Sequence, residues 1–286
     1  MSCYTLARIA LLAVTIAAVG CGQGDGSTTG DAVGLDVPDN PDPPKSNFSA
    51  VDHLSGAEYS KLTVEIDFVT GKGPNGTALS DLQEALDRMR GDGQIAKPDG
   101  IELALDDALP ASSADKVWTF SELDTLGKAY RNLALDDGAA SIHVLYVDGH
   151  YEDDTNQGSV LGFAYSGSWM VMFKDNITRA CESSTVIAGP ILSALREKIC
   201  AHAEASVLLH ELGHLFGLVN NGTPMVVDHE DPDHPAHDAS SDCLMYWAIE
   251  RSSAVDLIAE RFSGGTPTLG FCATSLADLE AVANPQ

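Results

Sequence analysis

Basic residues are scarce in this chain. Lys and Arg total 16 against 42 Asp and Glu, a formal charge of -26. So acidic a surface repels phosphate, which argues against general nucleic-acid binding and against electrostatic docking on anionic lipid. Long apolar runs are missing too. The longest, Ile9–Val19, covers 11 residues, well short of the roughly 20 that a spanning helix requires. There are no internal repeats. What is present is 286 residues that are 44% hydrophobic, enough for a packed core and too apolar for wholesale disorder.

The first 20 residues have the layout of a secretory signal: Arg8, the apolar stretch Ile9–Val19, then Ala18-Val19-Gly20-Cys21 as a small-residue stop. Those last four residues resemble a bacterial lipobox, whose Cys becomes the lipidated first residue, although Ala18 stands where Leu is usual. Lipidation at Cys21 is the expectation, with cleavage near Gly20 or Gly22 and plain secretion as the alternative. From Gly22 onward the chain is rich in Gly, Ser, Thr, Asp and Pro, with a Pro-Asp-Asn-Pro-Asp-Pro-Pro run at 38–44. The segment 21–57 therefore reads as a lipidated Cys and a disordered tether.

Cysteine usage agrees with export. Cys3 leaves with the leader and Cys21 is the lipid site, so Cys181, Cys200, Cys243 and Cys272 remain. An even remainder in an oxidising compartment implies two disulfides. Sequence proximity favours Cys181–Cys200 and Cys243–Cys272.

From about residue 58 the pattern is that of an α/β (α+β) domain. Alternation over Leu62–Val69 predicts a half-buried strand, and Leu82, Leu86 and Met89 a helix over 81–89. A short strand is expected at Ile101–Leu105, a helix over Ser121–Leu135 and a strand at Ile142–Val147. Val160–Tyr165 and Trp169–Phe173 flank Ser166-Gly167-Ser168 as a β-hairpin. Helices are expected at Ile187–Ile199, Ala201–Leu218 and Val255–Arg261. Gly71-Lys72-Gly73-Pro74-Asn75-Gly76 is a G-x-G-x-x-G string, the form of a dinucleotide-binding turn. Pro74 removes an amide that such a turn would use, so the string reads as a β–α connection with Thr77 or Ser80 capping the next helix.

The chemistry concentrates in His210-Glu211-Leu212-Gly213-His214. Two His four apart share one helical face and can reach one ion. Glu211 is rotated by about 100° from His210, placed to reach a water beside the ion rather than the ion itself. Apolar Val207, Leu208, Leu212 and Leu215 put the motif on a buried helix, where two His and a Glu without a metal would be costly.

With Gly217 and Met245 added, the stretch resembles the metzincin clan of zinc metallopeptidases, H-E-x-x-H-x-x-G-x-x-H followed by a Met-containing turn. The third-ligand position departs from the clan pattern, being Asn220. Downstream, His237-Asp238-Ala-Ser-Ser-Asp242-Cys243-Leu244-Met245 is similar to the archaemetzincin branch. There the third His is followed directly by Cys, then four residues, Cys, one residue and Met. Asp238 replaces the first Cys, which puts that branch's cysteine-bound second zinc in doubt and leaves Cys243 for a disulfide. On this register 219–236 is an insertion and His237 the third ligand, with His229 and His234 as rivals.

The resemblance implies a zinc peptidase domain over 58–286. Its mixed sheet and active-site helix would lie in 58–218 and its Met-turn in 219–286. It implies zinc on His210, His214 and His237, Glu211 as general base, Met245 packed beneath the metal, and a protein or peptide substrate. It assigns no transition-state role to Tyr246. The hairpin at 160–173 is the candidate edge strand for an extended peptide. Asp228, Glu230, Asp231, Asp233 and Asp238 suit Ca²⁺ by ligand chemistry, or else form a solvated acidic loop. A non-catalytic zinc- or calcium-binding surface module is the alternative to a peptidase.

Overall fold

The computed structural model describes residues 45–284 apart from 114, 156–157, 190 and 266. The leader, the lipobox with Cys21 and the tether as far as residue 44 lie outside the described residues. In chain order the helices and strands are α1 (Ala50–Leu54), β1 (Lys61–Val69), α2 (Gly76–Gly91), β2 (Ile101–Leu109), β3 (Val117–Trp118), α3 (Phe120–Tyr130), β4 (Ala139–Val147), β5 (His150–Tyr151), β6 (Gly162–Tyr165), β7 (Trp169–Phe173), α4 (Lys174–Ser183), α5 (Arg196–Leu215), β8 (Glu230–Asp231), β9 (His234–Asp238), α6 (Ala254–Phe262) and α7 (Ala273–Ala283).

The expected α/β class is observed as a five-stranded mixed sheet in the order β2-β1-β4-β7-β6. All neighbours are parallel except β6, which runs antiparallel to β7. β6 is thus an edge strand, as the hairpin reading requires. One face of the sheet, with Leu62, Val64, Ile66, Ile142, Val144 and Tyr146, shares a core with α2 and α5. The other, with Leu145, Val147, Val171 and Phe173, shares a core with Leu123 and Leu126 of α3. No helix among the described residues is long and apolar enough to cross a membrane.

Several boundaries differ from the sequence expectation, each for a local reason. The folded chain begins before residue 58. Ser49 and Asp52 form a capping box on α1, and Phe48 and Leu54 are buried. The cap of α2 is Asn75, not Thr77 or Ser80: its side chain accepts from the Thr77 and Ala78 amides at 2.8 and 3.4 Å. Its own amide donates to Glu204 of α5 at 3.1 Å, so the G-x-G-x-x-G string is a structural β–α connection. Helix α3 stops at Tyr130 because Arg131 leaves helical geometry, with ψ 94°. The helices expected at 187–199 and 201–218 are instead a 3₁₀ turn at Leu192–Leu195 followed by one helix, α5, which runs unbroken through Cys200. Helices α4 and α7 lay outside the sequence expectation. Both anticipated cysteine pairs are disulfides, with Cα–Cα separations of 5.8 Å for Cys181–Cys200 and 5.0 Å for Cys243–Cys272.

β1 is not half-buried. Its polar residues Thr63, Glu65 and Asp67 are buried as well, because α3 and the chain after it cover that face. Glu65 accepts the Asn132 and Leu133 amides at 2.7 and 3.0 Å, and Asp67 pairs with His143 Nε2 at 2.8 Å. The Arg131 guanidinium lies in the same layer, donating to Ser141 and Ser168 and packed 4.5 Å over the Trp169 ring. Glu65 lies close enough to raise the Arg131 pKa against burial, while its own pKa is pushed up by burial and held down by the His143 ring and the Leu133 and Asn132 amides. Arg131→Met is therefore expected to cost about 1–3 kcal/mol, since it removes buried charge-assisted hydrogen bonds to Ser141 and Ser168. Chemical denaturation of the variant measures that loss.

Candidate active site

Helix α5 supplies the first part of the site, and its end is built to place it. Phe216 caps the helix and Gly217 turns left-handed at φ +75°. The Leu218 amide donates to Gly213 O at 3.0 Å and the Gly217 amide to His214 O at 3.1 Å, the paired bonds of a Schellman motif. A Cβ at Gly217 would stand 2.7 Å from the Thr223 nitrogen, so glycine is needed for approach as well as for φ. Val219 and Asn220 follow in left-handed conformations, φ +54° and +61°. That turn throws the chain away from the helix. Asn220 ends at an exposed position, its amide on Glu230 Oε2 at 3.2 Å, and takes no part in the His cluster.

The chain returns through the β8–β9 hairpin, whose register pairs Glu230 with Asp238. The Asp238 amide donates to Met245 O at 2.8 Å, which fixes strand β9 against the turn containing Met245. Met245 is fully buried. Its sulfur lies against Gly213, where a Cβ would collide with it, and Phe271 closes the same spot at 3.0 Å. The helix can therefore sit directly on the Met245 turn only because Gly213 has no side chain.

Three imidazoles meet here. The His210 and His214 rings are 4.8 Å apart and nearly perpendicular, and His237 lies 5.4 Å from the first and 4.9 Å from the second. His210 Nδ1 is 2.7 Å from Leu244 O, and His237 Nδ1 is 3.1 Å from Pro235 O. Both rings thus present Nε2 to the centre. His210 Nε2 and His214 Nε2 are 3.2 Å apart. Two nitrogens tetrahedrally bound at about 2.0–2.1 Å from one zinc would be about 3.3 Å apart, so the spacing fits the ion. His237 Nε2 is buried with no hydrogen-bond partner. Burial drives both helix imidazoles towards the neutral form that offers a lone pair. His210 is pushed down to about 4, and His214 falls well below its ordinary value.

Glu211 is fully buried, and neither of its carboxylate oxygens has a hydrogen-bond partner of normal geometry. Its Cγ packs 3.4 Å from where a Cβ on Gly162 of β6 would be. Burial first, and the nearby Glu250 second, push its pKa well above the usual carboxylate range. A cation at the three imidazoles would oppose both effects.

Glu250 completes the cluster and had no signal in the sequence. It ends a 3₁₀ turn, Trp247–Glu250, directly after the Met245 turn. Its carbonyl accepts the Leu161 amide at 2.9 Å, which ties it to the chain entering β6. Its Oε2 is 3.6 Å from His237 Nε2. Donor atoms of His210, His214, His237 and Glu250 all lie within 4.8 Å of one another.

The rival histidines are engaged elsewhere. His234 Nδ1 is 2.8 Å from Asp231, and its ring stacks on Trp247 at 4.5 Å. His229 is clamped between Asp238 at 2.7 Å and Asp278 of α7 at 2.8 Å. The acidic loop does not gather into a calcium cage among the described residues. Glu230 accepts the Ala236 amide, Asp231 the Asp233 amide and Asp228 the Glu230 amide, while Asp238 lies against the Cys243–Cys272 pair. Burial lowers the His229 pKa, but the hydrogen bonds its ring donates to Asp278 and Asp238 outweigh it and hold the imidazole above its ordinary value. A raised pKa contributes stability below the unfolded value and loses it as pH rises through the folded one. His229→Gln is therefore expected to lower Tm most at about pH 6 and progressively less towards about pH 9. Thermal unfolding of both proteins across that range checks the sign.

Two cavities reach the histidines. One, of about 440 Å³, is lined by Ala164, Tyr165 and Ser166 of the edge hairpin together with His214 and Asn221. The other, of about 610 Å³, is lined by His237, Trp247, Glu250 and Arg251.

No family model matches the sequence, and no curated protein matches it. Among solved structures, the chain is similar to the crystal structure of a zinc-dependent peptidase from Methanocorpusculum labreanum (strain Z). The TM-score is 0.41 at 12% identity, covering 76% of this chain and 99% of that one. A likeness of that degree carries no argument about this chain.

Proposed function

We propose that this protein is a zinc-dependent endopeptidase of metzincin type. The observation that carries the reading is the convergence of three imidazole nitrogens beside a fully buried Glu211, on a helix seated against Met245. His210, His214 and His237 would hold the ion. Bound there, zinc supplies a Lewis acid for the scissile carbonyl and for an attacking water. Leu244 O and Pro235 O fix the His210 and His237 rings with Nε2 inward. Glu211 takes the proton of the attacking water on its carboxylate and passes it to the leaving amine. Among the described residues β6 pairs only with β7 in its sheet, so its outer edge can take an extended peptide as a further strand. One cavity is lined by His214 and the edge strand and the other by His237, and they would receive side chains from either side of the cleaved bond. Hydrolysis of casein or gelatin, abolished by a chelator and restored by zinc, tests the reading. Zinc binding without hydrolysis would instead make the chain a metal-binding surface module on a peptidase-like site.

The same reading places the protein outside the cytoplasm. Two disulfides suit an oxidising compartment, and Ala18-Val19-Gly20-Cys21 supplies a lipid anchor. Cys21→Ala is expected to release the protein from the membrane fraction with unchanged specific activity. Unaltered partitioning of the variant would favour plain secretion.

A further inference from the structure

We infer that Glu250 is a fourth, displaceable donor to the metal, closing the centre with the chain's own carboxylate until water or substrate takes its place. The inference rests on the zinc-peptidase reading and adds to it what occupies the open position at rest.

The hydrogen bonds of the rings carry the argument. A neutral imidazole has one N–H. In His237 that proton is directed at Pro235 O from Nδ1, 3.1 Å away, which leaves Nε2 with a bare lone pair. In His210 the proton goes to Leu244 O in the same way. His237 Nε2 then faces Glu250 Oε2 across 3.6 Å with no hydrogen-bond partner. Two lone-pair atoms confronting each other in a mostly buried site repel unless a cation lies between them. A hydrogen bond relieves the contact only if the His237 ring takes a second proton, and it does not draw His210 and His214 into the same centre. A metal ion does, and carboxylate oxygen is an ordinary zinc ligand at about 2.0–2.2 Å. Three nitrogens and one oxygen whose donor atoms all lie within 4.8 Å of one another are four donors of the kinds that zinc takes.

The surroundings of Glu250 make this ligand movable. Its backbone is pinned by the Leu161 amide, so only the side chain needs to swing. That side chain is 21% exposed and stands on the wall of the 610 Å³ cavity. Its second oxygen, Oε1, lies 3.3 Å from Arg251 Nε, a partner that can keep the carboxylate once it has left the metal. His210, by contrast, is fully buried, and its ring is held by Leu244 O on the far side. Of the four donors, Glu250 has both a solvent route and a second partner.

Cobalt(II) in place of zinc reports the coordination directly. In the full-length protein, Glu250→Gln is expected to shift the visible cobalt band. It should also weaken zinc by roughly 10-fold or more in chelator competition, as even changes outside the first coordination shell do. Glu250→Asp keeps a carboxylate on a shorter arm and should shift the band less. Wild-type band position and affinity in the Gln variant would overturn the inference. If the Gln variant does not fold, the Asp variant decides: an unshifted band counts against Glu250 as a ligand. Cobalt binding by the wild type that is lost in His210→Ala leaves the zinc-peptidase reading standing whatever Glu250 does. A wild type that binds neither metal sinks both.

Discussion

Glu211→Gln is expected to retain a full complement of zinc and to lose peptide hydrolysis by about 10²–10⁴-fold, the usual contribution of a positioned general base. The amide is nearly the same size as the carboxylate, and the space beside Gly162 that admits the Glu211 side chain admits it equally. Glu211 has no hydrogen-bond partner of normal geometry to lose, so the fold has little reason to respond. The substitution removes a proton acceptor and no metal donor. Metal content by atomic absorption and turnover on a peptide substrate separate the two effects. A variant that kept a tenth of wild-type turnover would show that another group takes the proton.

His237→Ala should do the opposite, losing metal first and activity as a consequence. Its zinc affinity is expected to fall by at least the 10–100-fold seen when groups outside the coordination shell are changed. The strand that carries His237 stays in place without the imidazole, because the Asp238 amide remains bonded to Met245 O. His229→Ala and His234→Ala should keep one zinc per chain, since those rings are spent on Asp238, Asp278 and Asp231. Asn220→Ala should be mild, because its amide reaches Glu230 and not the histidines. Bound zinc after dialysis of the four variants gives the answer. Full zinc in His237→Ala, with loss in either rival, would return the third ligand to the loop.

The half of the site on one helix was legible in the sequence, because helical geometry is fixed by local hydrogen bonds. A spacing of four puts His210 and His214 on one face whatever surrounds them. Glycine at 217 marks the helix end for a reason equally local, its left-handed φ. The two disulfides were readable from proximity along the chain. His237 was readable only by its register with Met245. The bond from the Asp238 amide to Met245 O gives that spacing its meaning, and it is a tertiary contact.

Other features depend on which surface covers which, and there the sequence was silent or misleading. Alternation along β1 predicted one wet face, yet Glu65 and Asp67 are buried. A polar residue in a strand records its chemistry, not whether a later helix will cover it. Glu250 belongs to no motif. It reaches His237 because a 3₁₀ turn after Met245 is tied to the chain entering β6, about 90 positions earlier in the sequence. Local spacing thus determined the helix, its two histidines and the place of Glu211 between them. The approach of His237 and Glu250 to those histidines and the buried acidic layer were decided by packing between segments far apart in the chain, which no short-range pattern encodes.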